Sequence, residues 1–128
     1  MKRILALLAA ALLVASCDSG PKQGELVLSL TTPNTTDGAV AFTLSANSPE
    51  TIIGLSADCP GCKVFTYRVG DARVKGIVTG TLSAGPAVRA LVSNIKDPTQ
   101  YGVTIQAVAA SDHSLRGLSG YGLVVEKP

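Results

Sequence analysis

Apolar and polar residues alternate with a period of two along most of this chain, and that pattern constrains the fold more than any other feature. Leu26, Leu28 and Leu30 occupy every second position of one run, and the longest run extends from Tyr101 to Ala109. Because successive side chains of a strand point to opposite faces of a sheet, this period predicts half-buried β-strands. Similar runs lie at residues 40–44, 53–55, 65–69 and 121–125.

Clusters of Gly, Pro, Asn and Asp separate these runs, as turns separate short strands. Seven to nine strands of this kind in about 100 residues predict an all-β domain built as an antiparallel two-sheet sandwich. The segment 74–82 is also rich in β-forming residues, but it contains Gly76 and Gly80. Glycines inside a strand indicate a bulge or an edge position, so a bulged or edge strand is expected there.

Residues 86–95 allow two interpretations. Val88, Leu91 and Ile95 fall at helical spacing, and Pro86 suits the first turn of a helix. The segments on both sides are predicted strands, which favours a strand here as well. A short helix remains the alternative.

Two stretches, AVAFTLSANSPETIIGL and YGVTIQAVAASDHSLRGLSGYGLVV, are similar to segments of Ig-like and cohesin-like sandwich domains in their alternation and turns. The resemblance implies a two-sheet β-sandwich. The chain has no Trp and lacks the inter-sheet cysteine pair of antibody domains. The resemblance therefore assigns no binding residues.

The first sixteen residues have the layout of a secretory signal. Lys2 and Arg3 precede an apolar run of 11 residues, which Ala15 and Ser16 follow. A membrane span needs about 20 apolar residues, so this run is too short to cross a bilayer. We expect residues 1–16 to be a signal peptide.

The sequence Val14-Ala15-Ser16-Cys17 resembles the lipobox of bacterial lipoproteins. The resemblance implies cleavage before Cys17 and lipidation of that cysteine, which would anchor the chain to a membrane through acyl chains. Ordinary signal cleavage, with Cys17 a free thiol, is the alternative.

Asp18 occupies the position that marks inner-membrane retention in some bacterial lipoproteins, so the periplasmic face of the inner membrane is slightly favoured over the outer membrane. Residues 17–24 are then a flexible tether, and residues 25–128 form the domain.

The charge of the mature chain excludes one class of partner. The full sequence has 11 basic and 9 acidic residues, but Lys2 and Arg3 leave with the signal, so the mature chain is neutral. The remaining basic residues are scattered along the sequence. Without a basic excess or cluster, nucleic acid is not an expected partner.

Cys59 and Cys62 are the only cysteines after Cys17, and in an oxidising compartment they are expected to form a disulfide. A Cys-x-x-Cys pair can also carry thiol-disulfide chemistry when its first cysteine begins a helix. Here a predicted strand follows, which favours a structural bridge and leaves a small thiol-disulfide module as an alternative. Haem attachment would need His directly after Cys62, where the chain has Lys63. A zinc site would need two ligands in addition to Cys59 and Cys62, and the sequence offers one His and no further Cys.

No catalytic, cofactor or metal site is predicted. His113 is the only histidine, and Ser111, Asp112 and Ser114 flank it. Adjacent residues point in different directions, whereas a catalytic triad converges from separate elements, so we interpret this segment as a turn. The carboxylates are widely separated along the sequence, which offers neither a paired acid nor a calcium loop.

The sequence therefore predicts a membrane-anchored, non-enzymatic binding or structural module of the cell envelope, whose partner is an envelope protein or polysaccharide. The five aromatic residues of the domain are expected mostly on inward faces, which leaves a carbohydrate-binding or cell-wall-binding module as an alternative with little support. These residues are Phe42, Phe65, Tyr67, Tyr101 and Tyr121.

Overall fold

A computed structural model describes residues 20–128 of the chain. The predicted signal peptide and Cys17 lie outside the described residues. Nine strands account for most of the described chain. They are β1 (Gly24–Thr31), β2 (Asp37–Ala46), β3 (Ile52–Ala57), β4 (Lys63–Gly70), β5 (Arg73–Leu82), β6 (Gly85–Val92), β7 (Tyr101–Ala109), β8 (Leu115–Arg116) and β9 (Gly122–Glu126).

The strands form two antiparallel sheets, which confirms the predicted all-β sandwich. One sheet has the order β3-β6-β1-β9 and the other the order β4-β5-β2-β7-β8. The chain changes sheet between β3 and β4, so β3 and β4 are edge strands on the same side of the sandwich. No helix within residues 20–128 is long and apolar enough to cross a bilayer.

Most of the segment with helical spacing is a strand, and its last residues, 93–95, form the loop that follows. β6 lies between β1 and β3, and its side chains Val88, Ala90 and Val92 point alternately into the core. β6 pairs with β1 along its length and with β3 from Val88 to Val92, and these ladder hydrogen bonds outweigh a helical spacing of a few apolar residues. The described residues contain only a short 3-10 turn of helix, Pro98–Gln100, which Asp97 caps at its first residue.

The core lies between the two sheets and is almost entirely aliphatic. Phe42, on the central strand β2, is its largest fully buried side chain. The inward residues of β1, β2 and β5 belong to one buried cluster between the sheets, as the alternation predicts. The core comprises Leu26, Leu28, Leu30, Val40, Phe42, Leu44, Ile52, Val74, Val78, Leu82, Ala87, Val88, Ala90, Val92, Tyr101, Val108 and Leu123.

Strand β5 is bulged, as predicted, but it is not an edge strand, because it pairs with both β2 and β4. The bulge falls near Gly80, where Asp37 pairs with Leu82 and Ala39 pairs with Thr79.

Gly76, also in β5, makes room for a buried side chain. A Cβ atom on Gly76 would lie 2.5 Å from Cζ of Phe42, so the missing side chain makes room for the buried ring.

A bulge in β7 reverses the faces that the alternation predicts. Ala41 pairs with Ala107, while the next residue, Phe42, pairs with Ile105, so Gln106 is an extra residue. Beyond the bulge Val108 is the buried residue, and Ala107 is on the opposite face from Tyr101. The outer face of this sheet therefore presents a small residue, Ala107, next to Ala41.

The chain contacts the domain before its first strand begins. Ile95 N–H donates to the carbonyl of Lys22 (2.8 Å), and Lys22 N–H donates to Oδ1 of Asn94 (3.2 Å). Gly24 then pairs with Val92. The last residues of the predicted tether, from Lys22 onward, are thus bound to the domain.

Candidate functional site

Cys59 and Cys62 form the predicted disulfide in the loop that carries the chain from β3 in one sheet to β4 in the other. Both residues are partly buried and pack against the core. Cys62 N–H donates to the carbonyl of Cys59 (3.3 Å), and Cys59 N–H contacts Sγ of Cys62 at 3.2 Å. The bridge closes a tight turn at the point where the two sheets are joined.

Gly80 allows this turn to pack against β5. Its φ is +144°, and a Cβ atom there would lie 3.0 Å from Cα and 3.1 Å from Cβ of Cys62. A positive φ and a close backbone neighbour both favour glycine. The bulge of β5 and the disulfide turn are therefore parts of one packed corner.

The residue after Cys62 begins β4, so the bridge is followed by a strand. A reactive Cys-x-x-Cys gains its low pKa from a helix N-terminus or from neighbouring cations, and here the first turn of a helix is absent after the pair. The geometry matches a structural bridge.

Replacing both cysteines with serine is expected to lower the free energy of unfolding by about 2 kcal/mol, because a loop this short removes little chain entropy. Urea denaturation of the double variant and the parent checks this value, and far-UV circular dichroism should remain that of a β protein. The reduction potential of the bridge is expected below about −300 mV, as for structural disulfides. A potential above that of glutaredoxins, about −200 mV, would contradict the structural assignment.

The segment around His113 forms the predicted turn between β7 and β8. Asp112 Oδ1 accepts hydrogen bonds from Oγ (2.6 Å) and N–H (3.1 Å) of Ser114. Both bonds lower the pKa of Asp112 below its usual value, and the bond from the Ser114 hydroxyl has the larger effect. His113 has a φ of +70° and its N–H donates to the carbonyl of Ala110. The Asp112 carboxylate thus binds Ser114 directly. The hydrogen bonds of a catalytic triad, from Asp112 to His113 and from His113 to a serine, are not formed in this turn.

Replacing Ser114 with alanine is expected to raise the pKa of Asp112 towards its usual value. The substitution removes the hydroxyl donor, and it weakens the turn that presents the backbone N–H to the carboxylate. A folded-state pKa below the unfolded value stabilises the fold above about pH 4 and loses that contribution as the pH falls through the folded pKa. The carboxyl carbon chemical shift of Asp112, followed by NMR against pH, checks the direction. Thr99→Ala, which alters the cap at Asp97, should leave the titration of Asp112 unchanged.

The prediction that the aromatic residues mostly face inward is wrong for Phe65 and Tyr67. Their exposed fractions are 60% and 71%, whereas Phe42 and Tyr101 are buried. Phe65 pairs with Ile77 of β5, which is 45% exposed, so these three side chains share the outer face of the five-stranded sheet. We call Phe65, Tyr67 and Ile77 the apolar patch.

The apolar patch borders a shallow depression of about 310 Å³ on the outer face of the sheet. Ala41 and Gln106 line it on the side of β2 and β7, and Lys75 lies directly opposite Tyr67 in the ladder. Small side chains in the middle of the sheet and large ones on β4 and β5 produce this shape. The depression is open and mainly apolar, and Lys75 brings a positive charge to its border.

Strand β4 is the least protected of the four sheet edges. β8 has two residues, and β9 has five and is followed by Lys127 and Pro128. β4 has eight residues, and among residues 20–128 no hydrogen bond from another element reaches its outer edge. Proteins normally protect long edges with charge, proline or a covering segment. β4 carries charge at Lys63 and Arg68, but it has no proline and, among residues 20–128, no covering segment. An uncovered edge that carries exposed aromatic residues is characteristic of an interaction surface.

Arg68 protects the neighbouring edge strand. Its Nη1 donates to the carbonyl of Ile52 (2.8 Å) and its Nη2 to the carbonyl of Ile53 (2.7 Å), so the guanidinium occupies two backbone acceptors of β3. It also donates to Gly70 (3.2 Å). Arg68 therefore joins the two sheets at this side and leaves the outer edge of β4 open.

Sequence reasoning missed the apolar patch because alternation does not state which face is buried. Phe65, Tyr67 and Val69 alternate with Thr66 and Arg68 in the manner of an inward apolar face. The ladder with β5 decides the outcome: Val64 pairs with the buried Val78, so the even-numbered residues of β4 face inward. The only indication of this register in the sequence is Val64, an apolar residue among the even-numbered positions of β4.

Residues 20–128 contain no group of three or more His, Cys, Asp or Glu side chains placed to hold a metal ion. Compared with models of known protein families, with curated proteins and with solved structures, the chain has no match. The fold and the site therefore define its class: a two-sheet β-sandwich with a disulfide-closed corner and an exposed apolar patch next to an open sheet edge.

Proposed function

We propose that this chain is the precursor of a bacterial lipoprotein, cut before Cys17 and held to a membrane of the cell envelope by acyl chains on that residue. Its sandwich domain acts as a non-enzymatic binding module. The lipobox-like sequence supports the anchor, and the apolar patch supports the binding role. The observation that carries the binding role is the exposure of Phe65 and Tyr67 on one face of the open edge strand β4.

The kinds of side chain exposed on the domain support the choice of this patch. Phe65 and Tyr67 are the only aromatic side chains among the exposed large apolar residues of 20–128; the others outside the patch are aliphatic, namely Ile53, Val69, Leu115, Leu118 and Val124. Exposing aromatic rings costs hydrophobic free energy, about 25 cal/mol per Å² of apolar surface left in water. An envelope component that covers Phe65 and Tyr67 recovers that free energy.

Labelling of growing cells with radioactive palmitate tests the anchor. The parent chain should incorporate label and fractionate with membranes, and Cys17→Ser should abolish both. A Cys59→Ser/Cys62→Ser variant controls for thiol chemistry and should keep the label. Label retained after substitution of Cys17 would refute the anchor.

Exposure of two aromatic rings also favours a second candidate function, binding of an envelope polysaccharide. Aromatic rings supply apolar contact surface, and here they stand two residues apart on one strand, separated by about 7 Å. Sedimentation with purified peptidoglycan tests this candidate: Phe65→Ala/Tyr67→Ala should release the chain, and Val124→Ala, an exposed substitution on the other sheet, should not. No sedimentation of the parent would exclude it.

A further inference from the structure

We propose that the apolar patch and the basic residues around it form a docking surface for the anionic phospholipid surface of the membrane that holds the lipid anchor. This inference rests on the anchor proposed above and names the envelope component that the patch binds. The domain then lies on its side on the bilayer, with the outer face of β4 and β5 towards the headgroups.

The chemistry of the patch fits a membrane interface. Tyrosine and phenylalanine side chains enter the headgroup region of a bilayer, while lysine and arginine extend their charged ends to phosphate oxygens. Tyr67 pairs with Lys75, and Phe65 lies two residues from Lys63 on the same face of β4. Aromatic and aliphatic groups thus stand at the centre with cations at the border, as in proteins that bind the membrane interface.

Four of the basic residues that are separated in the sequence come together in the hairpin of β4 and β5, which is therefore basic, although we expect the mature chain to be neutral. The hairpin contains Lys63, Arg68, Arg73 and Lys75 against one acid, Asp71. Arg68 is occupied by the carbonyls of β3, but Lys63, Arg73 and Lys75 are exposed, and no hydrogen bond or ion pair within the described chain involves their side chains. Three unpaired cations around an apolar patch complement an anionic surface.

The position of the tether brings this hairpin close to the membrane. Gly24 pairs with Val92, Val92 pairs with Ile52, and Ile52 N–H donates to the carbonyl of Asp71 (2.7 Å) in the β4–β5 turn. The chain therefore enters the domain at the end where the hairpin turns, about two strand spacings, or 10 Å, from Ile52.

The stretch of sequence between the proposed anchor and the domain is short. Cys17 is five residues before Lys22, which is hydrogen-bonded to the loop after β6, and an extended chain covers at most about 3.6 Å per residue. Lys22 is then within about 18 Å of the lipidated residue, and the hairpin turn, two residues and two strand spacings further on, is within roughly 35 Å of it. Tethering of this kind produces a high effective concentration, so a patch of low intrinsic affinity is sufficient for docking.

A second copy of the chain is a less suitable occupant. Complete burial of the exposed parts of Phe65, Tyr67 and Ile77 on two copies removes on the order of 700 Å² from water, whereas specific interfaces bury about 1,200 Å² or more. The hairpins would also bring like charges together. The bilayer requires no minimum area and has the opposite charge.

A single tryptophan at the patch tests the proposal, because the chain has no native Trp. Tyr67→Trp places the probe in the patch, and Val124→Trp, at a side chain 49% exposed on the other sheet, is the matched control. Each variant, in its mature lipidated form beginning at Cys17, is reconstituted into vesicles of phosphatidylglycerol and phosphatidylcholine, with and without brominated acyl chains. Flotation with the vesicles first establishes that the anchor is present.

We expect the indole fluorescence of the Tyr67→Trp variant to shift to shorter wavelength and to be quenched by brominated lipid, and that of the Val124→Trp variant to be unaffected. Equal quenching of the two probes in chains that float would overturn the docking surface and leave the anchor intact. A shift of the patch probe without quenching would also overturn it, because it would indicate a protein contact such as strand pairing at β4. Failure to float would refute the anchor instead.

Charge removal supplies a second readout. Lys63→Gln, Arg73→Gln and Lys75→Gln, each in the Tyr67→Trp background, should lower the docking equilibrium constant about fivefold per cation on anionic vesicles. Raising the salt concentration or omitting phosphatidylglycerol should act in the same direction. Quenching of the patch probe that is independent of all three changes would overturn the charge complementarity on which the proposal depends.

Discussion

Replacing Asp37 with alanine is expected to lower the free energy of unfolding by about 3 kcal/mol, because it removes the acceptor at the centre of a buried polar cluster. The side chain of Asp37, at the first residue of β2, is completely buried. Tyr121 OH donates to Oδ1 (2.7 Å), and Thr32 Oγ1 donates to Oδ2 (2.8 Å). Arg116 Nε lies 3.3 Å from Oδ1 and completes an ion pair.

The cluster joins three separate parts of the chain. Thr32 and Asn34 belong to the β1–β2 loop, Arg116 to β8 and Tyr121 to the segment before β9. Asn34 Nδ2 also donates to the hydroxyl of Tyr121 (2.6 Å). Without the carboxylate, the hydroxyl of Tyr121 loses its acceptor and the guanidinium of Arg116 loses its ion-pair partner, in a site that admits little water. Buried donors left without a partner carry the full desolvation cost.

Urea denaturation of Asp37→Ala, with the slope compared with the parent, checks this value. Tyr121→Phe removes a single hydroxyl of the cluster and should cost about 1 kcal/mol. The double variant should lose less than the sum of the two single losses, because both changes remove the same hydrogen bond. A loss below about 1 kcal/mol for Asp37→Ala would show that water replaces the carboxylate.

Replacing Gly76 with alanine should lower the free energy of unfolding by about 1 to 3 kcal/mol through overpacking. The added methyl would meet Cζ of Phe42 at 2.5 Å and two further ring carbons at 3.0 Å. The ring is fully buried on the central strand of its sheet, so it can move only by displacing other core residues. Interiors are packed at crystal density and have little free volume for such a shift.

Two further variants separate overpacking from a general effect of replacing glycine in a strand. Gly102→Ala in β7 adds a methyl where nothing lies within 4 Å, so it should be close to neutral. Phe42→Leu shortens the opposing side chain, and Gly76→Ala should cost less in that background than in the parent. Equal losses for Gly76→Ala in both backgrounds, measured by urea denaturation, would contradict the assigned contact.

Prediction of the candidate site from sequence succeeded for the disulfide and failed for the apolar patch, for related reasons. Cys59 and Cys62 are close in sequence, so no tertiary information was needed to pair them. Whether Phe65 and Tyr67 face the core depends on the register between β4 and β5, which is set by contacts distant in sequence. A shift of one residue moves all side chains of a strand to the other face.

The sequence by itself determined the all-β class, the sandwich architecture and the local turns, because alternation and turn chemistry act over a few residues. It also contains the whole basis for the proposed anchor at Cys17. Only the tertiary structure decided that Gly85–Val92 is strand β6, that a bulge at Gln106 turns Ala107 outward, and that the polar cluster forms around Asp37. Each of these depends on strand order and register, where residues far apart in the chain meet and their combined packing outweighs local preference.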